Sequence, residues 1–231
     1  MTYPRLVITN WLALVIGLAV FSCQAIPAHA ELSLDVAGGI SIFGITATDG
    51  DYRQNLPHSY DASSLAYRVG LCWSFNERWS TCGAWVNMGA LKQDSLFVDD
   101  RDYNPKTGQV TTVYGAPVPN KITDAYKGVE LTLTRTFPLT EALSWHLKAG
   151  GAYLEHKMTI TRMDLGVAHQ AYGQFPAVVA GGGLSYKWAY LEANYYHGLG
   201  GSNGFMGQDQ GWPLSKEMIV AWAGVKIPVR W

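Results

Sequence analysis

The fold is decided by residues 218–231, which read MIVAWAGVKIPVRW and alternate between apolar and mixed positions. Successive side chains of a β-strand point to opposite sides, so a period of two predicts a strand with one continuous apolar face. Such a strand needs neighbours that satisfy its backbone hydrogen bonds. Its apolar face consists of Ile219, Ala221, Ala223, Val225, Ile227, Val229 and Trp231.

The same alternation recurs in earlier segments, and the sequence predicts about eight strands in all. In residues 64–75, for example, Leu65 and Val69 share the apolar face, while Arg68 and Gly70 share the other one. Each segment has roughly the 9–14 residues that a tilted strand needs to cross a bilayer. The predicted strands are residues 32–43, 64–75, 79–91, 125–137, 143–156, 177–185, 188–197 and 218–231.

Connection lengths alternate, because tight turns lie at one end of the strands and long polar segments at the other. This asymmetry is typical of outer-membrane barrels, and a compact soluble domain rarely carries several unstructured connections of that length. We therefore expect an all-β, eight-stranded antiparallel transmembrane β-barrel with short periplasmic turns and long extracellular loops. A further hairpin near 110–114 would raise the count to ten, and a soluble β-sandwich or calyx is the alternative fold. The tight turns are 76–78, 138–140 and 186–187, and the long connections are 44–63, 92–124, 157–176 and 198–217.

Composition favours a barrel in lipid and excludes several classes of function. The chain has 9 Trp, 13 Tyr and 25 Gly among 231 residues, and only 15% of its residues are charged. Aromatic residues form girdles at both lipid interfaces of such barrels. The net charge of −1 provides no field for a polyanion, so no nucleic-acid partner is expected. The sequence has no phosphate loop, dinucleotide fingerprint or zinc signature, so neither a cofactor nor a metal is predicted.

The first 30 residues read as a secretory signal peptide. Arg5 provides the basic start, residues 11–21 (WLALVIGLAVF) the apolar stretch, and Ala28-His29-Ala30 a small-x-small cleavage site. A lipoprotein cleavage before Cys23 is the less favoured alternative, because the residues before it fit that motif poorly. The expected domains are a signal peptide at 1–30 and an outer-membrane β-barrel at 31–231.

Charged residues on the polar faces of several strands form the main candidate site. An eight-stranded barrel is filled by side chains and has no wide pore, so charges buried in its lumen must pair. We expect a structural ion-pair plug rather than a conduction pathway or a catalytic centre. The predicted lumen cluster consists of Arg68, Glu130, Lys148, Glu192, Lys226 and His146.

Two hairpins permit a prediction of register. Pairing about Glu77 places Cys72 opposite Cys82, and this pair is a candidate disulfide because export passes through an oxidising compartment. Apolar residues should likewise oppose apolar ones and opposite charges should meet. Pairing about Leu139 therefore opposes Glu130 with Lys148, Thr132 with His146, and Leu133 with Trp145.

Two groups of loop residues are weaker candidates. His197 and Ser202 would form the His–Ser pair of a lipid A-modifying hydrolase, but a pair on one strand face needs even spacing, and residues 198–204 have a glycine-rich loop composition. Acidic residues within 94–102 would bind divalent cations that bridge lipopolysaccharide, but they lack the spacing of a calcium loop. Solvated external loops are the favoured interpretation. The other loop residues singled out are Asn203, the acidic Asp94, Asp99, Asp100 and Asp102, and the aromatic Tyr103, Tyr114, Phe205 and Trp212.

Several stretches carry a resemblance to a known superfamily. They are GVELTL at 128–133 with FPLT at 137–140, AGGAY at 149–153, the signal that ends at Ala30, and the aromatic end of the last strand. In these features the chain resembles the small bacterial outer-membrane β-barrels that include the OmpA transmembrane domain, OmpX and the Ail/Lom adhesins. The family usually ends in Phe, whereas this chain ends in Trp. The resemblance implies a location in the bacterial outer membrane and a signal read by the barrel-assembly machinery at Val225, Ile227, Val229 and Trp231.

The patterns and the resemblance together predict a non-enzymatic outer-membrane barrel that contributes to envelope structure or to surface interaction and adhesion. Its expected partners are outer-membrane lipids and lipopolysaccharide, the barrel-assembly machinery, and an extracellular ligand held by the loops. Two alternatives stay open. One is a deacylase-like lipid A hydrolase acting through His197 and Ser202, and the other is a narrow passive pore for small solutes.

Overall fold

The computed structural model describes residues 31–44, 56–103, 110–163, 166–199 and 215–229, which form β-strands and the turns between them. The predicted signal peptide at 1–30 and the aromatic end at Trp231 lie outside these residues. Within the described ranges, no helix is long and apolar enough to span a membrane. The strands are β1 (Glu31–Gly44), β2 (Leu56–Asp61), β3 (Ser63–Ser74), β4 (Trp79–Tyr103), β5 (Val110–Pro138), β6 (Leu143–Arg162), β7 (Val167–Tyr186), β8 (Ala189–Gly198) and β9 (Glu217–Pro228).

Eight of these strands close into one antiparallel ring. The order around the ring is β4, β3, β1, β9, β8, β7, β6, β5, and pairing of β5 with β4 completes it. Strand β2 continues β3 beyond Ala62 and pairs with the same neighbour, β4. Closure matters because hydrocarbon offers the backbone no hydrogen-bonding partner, so every spanning strand must be paired on both sides. The predicted eight-stranded antiparallel barrel is confirmed, and the residues that the structure describes form neither a ten-stranded ring nor a β-sandwich.

The outer wall of the barrel is apolar, whereas its interior holds charged side chains together with apolar ones. Outward side chains such as Leu65 (79% exposed) and Leu131 (49% exposed) cover its wall, while the inward Arg68 and Glu130 are 1% and 3% exposed. Proteins surrounded by water show the opposite arrangement, because charged residues are almost never buried without need. An outward apolar band and a polar interior are what a barrel in a bilayer requires. The soluble calyx therefore does not fit this distribution.

The prediction of long loops at 92–124 and 157–176 is wrong, because most of these residues belong to extended hairpins. Strand β4 runs on to Tyr103 and pairs with β5 from Val110, and β6 runs on to Arg162 and pairs with β7 from Val167. Backbone pairing does not require an alternating apolar face, so a strand can continue where the alternation stops. The loss of alternation therefore marks the end of the apolar wall and not the end of the strands.

The predicted β3–β4 register is confirmed. Cys72 opposes Cys82, and Trp73 opposes Thr81. The turn at this hairpin is held by Asn76, whose Oδ1 accepts hydrogen bonds from the backbone N–H groups of Arg78 and Trp79, both at 2.9 Å. An asparagine that bonds to the backbone two residues on is a strong local turn signal, which explains why this register is readable from sequence.

The predicted β5–β6 register is wrong by four residues. The connection comprises residues 139–142, and Thr140 Oγ1 accepts a hydrogen bond from the Leu143 N–H at 3.0 Å. The predicted turn at 138–140 is therefore centred too early. Because the shift is even, each residue keeps its predicted face of the sheet. The observed pairs are Glu130 with Ala152, Thr132 with Gly150, Thr134 with Lys148, and Leu133 with Ala149.

Candidate functional site

The lumen is filled from all sides, because alternate residues of each strand point inward. Strand β8 shows this regularity along its whole length, with every second residue buried. Large side chains fit where glycine faces them. Gly224 on β9 opposes Tyr190 on β8, and a Cβ added at Gly39 would lie 2.9 Å from Cε3 of Trp222. Side chains of matched size thus pack the interior of this narrow barrel.

Arg68 lies at the centre of the lumen and is 1% exposed. Its Nε lies 3.1 Å from Oδ2 of Asp35, and its Nη1 lies 2.5 Å from Oε1 of Glu192 and 3.5 Å from Oε1 of Glu130. Its Nη2 donates a hydrogen bond to the Tyr190 hydroxyl at 2.6 Å. One guanidinium thus joins carboxylates from β1, β5 and β8.

Lys148 provides a second cation that contacts two of the same carboxylates. Its Nζ lies 3.2 Å from Oε1 of both Glu130 and Glu192. His146 is hydrogen-bonded through Nε2 to Oε2 of Glu192 at 3.2 Å, and the Tyr196 hydroxyl donates to Oε2 of Glu130 at 2.7 Å. Each of these carboxylate oxygens therefore has at least one close partner, which is the condition for burying a charge at acceptable cost.

The structure brings five of the six predicted lumen residues into this network and places the sixth beside it. Lys226 is half-buried, and its Nζ lies 5.7 Å from the ring centre of Tyr190. We call the connected set the lumen network, which consists of Asp35, Arg68, Glu130, His146, Lys148, Tyr190, Glu192, Asn194 and Tyr196.

Sequence reasoning missed Asp35, Tyr190 and Tyr196 as members of the network. Asp35 lies on the polar face of the first strand, and both tyrosines share parity with Glu192, so the same alternation signal would have found them. The Tyr190 hydroxyl donates to Oδ1 of Asp35 at 2.5 Å, in addition to accepting from Arg68. Tyrosine was assigned to girdles by composition, whereas here it provides buried hydroxyls.

A second polar group lies further along the lumen, towards the extended hairpins. Oδ1 of Asp124 lies 3.0 Å from Nδ1 of His156, and the Tyr126 hydroxyl donates to Oδ2 of Asp124 at 2.6 Å. The backbone N–H of Ser215, where the chain enters β9, donates to the Tyr126 hydroxyl at 2.9 Å. Asp124 and His156 were predicted to lie at the borders of long loops. The alternation pattern was therefore not used to predict that their side chains point inward.

An apolar layer lies beside the lumen network and extends towards this second group, with Val86 opposite Arg68 and Val220 opposite Asn194. Its central members come from β4, β6, β7 and β9 and are all 0% exposed. Apolar side chains in close contact leave no space for water. Charged and apolar side chains together therefore fill the described part of the lumen. The layer includes Val86, Leu154, Val179 and Val220.

The disulfide candidate lies inside the barrel near the tight-turn end. Sγ of Cys72 and Sγ of Cys82 are bonded at 2.09 Å, and the two residues are 1% and 3% exposed. The bond therefore links β3 and β4 where they already pair.

The weaker candidates are not brought together among the described residues. His197 lies at the end of β8 with an exposed side chain, and its Nδ1 is 3.6 Å from Oε1 of Glu217. Ser202, Asn203, Phe205 and Trp212 lie outside the described residues. Among the residues that are described, no group of His, Cys, Asp and Glu has the geometry of a metal site. Asp94, Asp99, Asp100, Asp102 and Tyr103 belong to β4, and Tyr114 belongs to β5, rather than to a loop.

The residues of the assembly signal implied by resemblance lie at the seam between the first and last strands. Val225 and Ile227 on β9 oppose Val36 and Leu34 on β1. The backbone N–H of Val229 donates to the carbonyl of Leu32 at 2.8 Å, and Trp231 lies outside the described residues.

Comparisons with known proteins add a similarity of overall fold. No family model matches the chain, and no curated protein matches it significantly. Among solved structures, it is similar to crystal structures of Ail, the attachment invasion locus protein of Yersinia pestis. The structure in complex with the heparin analogue sucrose octasulfate has 11% identity and a TM-score of 0.43, and another Ail structure has 12% and 0.40. Both comparisons cover 87% of this chain and 99% of the other. Function does not transfer at such values, and the strand order and faces described above carry the conclusion that this chain is an eight-stranded barrel of the outer-membrane type.

Proposed function

We propose that this chain is a non-enzymatic outer-membrane barrel that acts at the cell surface through its extended hairpins. The observation that supports this proposal most directly is the filled lumen, in which two polar groups and an apolar layer occupy the interior. A barrel that conducts solutes needs a continuous aqueous path, and an enzyme needs a reactive group that substrate can reach. The lumen network offers neither, because its charged groups bond to one another.

The surface role is supported by the reach of the β4–β5 hairpin. Its strands pair from Leu91 and Asp124 out to Tyr103 and Val110, with one irregularity between Phe97 and Asp99. At about 3.3 Å per residue, this arm measures roughly 40 Å along the strand, longer than the span that a membrane strand itself requires. Strand β2 pairs with its base and widens it. A broad paired arm on a rigid barrel is suited to holding a surface contact in a defined position.

The remaining parts of the proposal concern export and assembly. Residues 1–30 direct the chain across the inner membrane and are removed, and the barrel-assembly machinery reads the β9 end with Trp231. The outward band contacts outer-membrane lipids, and the ends of the strands meet lipopolysaccharide. The hairpins hold the extracellular ligand.

Shortening the β4–β5 arm tests the surface role. Ser95 opposes Asn120, so an Asn-Gly turn in place of residues 96–119 would close the hairpin in register. Cells expressing this variant are expected to lose attachment to a cultured epithelial monolayer, while the barrel still migrates as a folded species before boiling in a gel-shift assay. The control is Glu141→Gln, which lies in a tight turn at the end of the barrel opposite to the arm. Equal attachment by the shortened variant and the full chain would contradict the proposal.

The two alternatives are tested by separate measurements on the full chain. Purified barrel in a planar bilayer is expected to leave the membrane silent, and lipid A from expressing cells is expected to keep its mass. Stepwise conductance would support the pore instead, and loss of an acyl chain would support the hydrolase.

A further inference from the structure

The outer wall of the barrel carries an arginine at a level where the surrounding residues are apolar. Arg135 belongs to the outward face of β5, in line with Leu133, Leu131 and Val129, and its side chain is exposed. It lies close to the tight-turn end, which faces the periplasm in barrels of this kind. A cation on a lipid-facing wall is costly unless it reaches the headgroup region or an anion.

Aromatic rings hold the Arg135 side chain. Its Cζ lies 5.4 Å from the ring centre of Trp79, the residue that opposes it on β4, and 4.9 Å from that of Phe137. Phe137 in turn stacks on Trp145, with ring centres 4.2 Å apart and an interplanar angle of 12°. Cation–π contacts of this length orient a guanidinium and leave its N–H donors free to bind an anion.

Arg135 differs from two outward basic residues at the opposite end of the wall. There Nζ of Lys127 lies 3.6 Å from Oε1 of Glu155, and His197 lies 3.6 Å from Glu217. No carboxylate of the described residues lies within salt-bridge distance of Arg135, which lies over the two rings instead. Lys157 near that end lies over the ring of Tyr172, as Arg135 lies over its own rings. Among the described residues Arg135 thus lacks the carboxylate partner that Lys127 has, and an anion from the surroundings can fill that place.

We propose that Arg135, Trp79 and Phe137 form a binding site for the phosphate of a glycerophospholipid in the periplasm-facing leaflet. The guanidinium donates two hydrogen bonds to phosphate oxygens, a geometry that arginine favours. The aromatic rings lie at headgroup depth, where such residues concentrate. The acyl chains run along the wall that begins at Leu133 and Leu147. This site goes beyond the surface role and depends only on the barrel lying in a bilayer.

Native mass spectrometry of the detergent-purified full chain tests this site with dioleoyl phosphatidylglycerol as the probe. The unmodified protein is expected to retain one lipid in a saturable manner. Arg135→Gln should weaken retention at least about tenfold, as expected for loss of a charge-assisted bidentate contact. Arg135→Lys should be intermediate, because it keeps the charge and loses the planar donor pair. The matched control is Arg78→Gln, an exposed arginine in the neighbouring turn, which should leave retention unchanged.

Three results would overturn the proposal. One is equal retention by Arg135→Gln and the unmodified protein, with both folded by gel shift. Another is an equal loss in Arg78→Gln, which would indicate nonspecific attraction to positive charge. The third is displacement of the lipid by inorganic phosphate at equimolar concentration, which would assign the site to a free anion. These results do not depend on cell attachment, conductance or lipid A mass.

Discussion

Arg68 on β3 links its own strand to three others, because it contacts carboxylates of β1, β5 and β8 and also the hydroxyl of Tyr190. Removing the guanidinium would leave buried carboxylates without a compensating cation. The resulting loss of folding free energy is larger than the net stabilisation that the ion pairs provide. The stability of the barrel therefore depends on the balance of charges in its interior as much as on any single ion pair.

Replacement of Arg68 by Met is expected to lower the free energy of unfolding by about 3–5 kcal/mol, the usual effect of removing one partner of a buried pair. Adding Asp35→Asn should recover part of this loss, because one uncompensated carboxylate disappears. Urea unfolding of the refolded barrel in lipid vesicles measures both variants.

The matched control is Arg78→Met in the exposed turn, which should stay within about 0.5 kcal/mol of the unmodified protein. An Arg68→Met barrel as stable as this control would mean that the lumen charges are solvated rather than bonded to each other.

The inward or outward orientation of individual residues could be predicted from parity alone. Arg68, Glu130 and Glu192 all point inward as alternation requires. The contacts between them could not be predicted, because they depend on which strands face each other across the ring and on the length of each side chain. For Asp35, alternation predicts an inward side chain, but it does not predict that this side chain contacts Arg68.

At the scale of elements, the hairpins differ in how strongly their turns are encoded. Asn76 bonds to two following backbone N–H groups and marks the β3–β4 turn. The β5–β6 connection has a proline before it and a threonine within it, and both 138–140 and 139–142 are reasonable turns by composition. The extension of the strands into the β4–β5 arm could not be predicted from the sequence either. Alternation indicates a strand with one apolar face, whereas the arm continues through backbone pairing alone.

The observed β5–β6 register predicts which cysteine pairs can be cross-linked. Leu133→Cys with Ala149→Cys places two opposed residues about 4.5–5.5 Å apart, within reach of a disulfide. Leu133→Cys with Trp145→Cys, the pair expected from sequence, is displaced by four residues, or roughly 13 Å along the strand. Mass spectrometry after oxidation and alkylation should find a new cross-link in the first variant only. The opposite result would restore the register centred on Leu139.

At the scale of the whole molecule, closure and the apolar wall were predictable because both follow from one repeating pattern. Eight segments that alternate, with turns on one side, leave few arrangements that satisfy every backbone group in lipid. The reach of the arm and the second polar group at Asp124 were not predictable, because they lie where the alternating pattern gives way to ordinary polar sequence.

A matched pair of substitutions on β8 tests whether lipid surrounds the wall. Ala193 and Ala189 both face outward, with Ala193 near the middle of the strand and Ala189 beside the tight turn. Ala193→Arg is expected to cost about 2–4 kcal/mol of folding free energy in lipid vesicles, and Ala189→Arg about 0–1 kcal/mol, because the penalty falls towards the interface. Equal costs at the two positions would indicate that this wall does not cross a hydrocarbon layer.

The bond between Cys72 and Cys82 also constrains the timing of biogenesis. Both cysteines face the interior and are buried in the closed barrel. A thiol oxidase can therefore reach them only before the ring of strands closes. Thiol oxidation must therefore precede closure of the ring, and the β3–β4 hairpin is already cross-linked when the last strands pair.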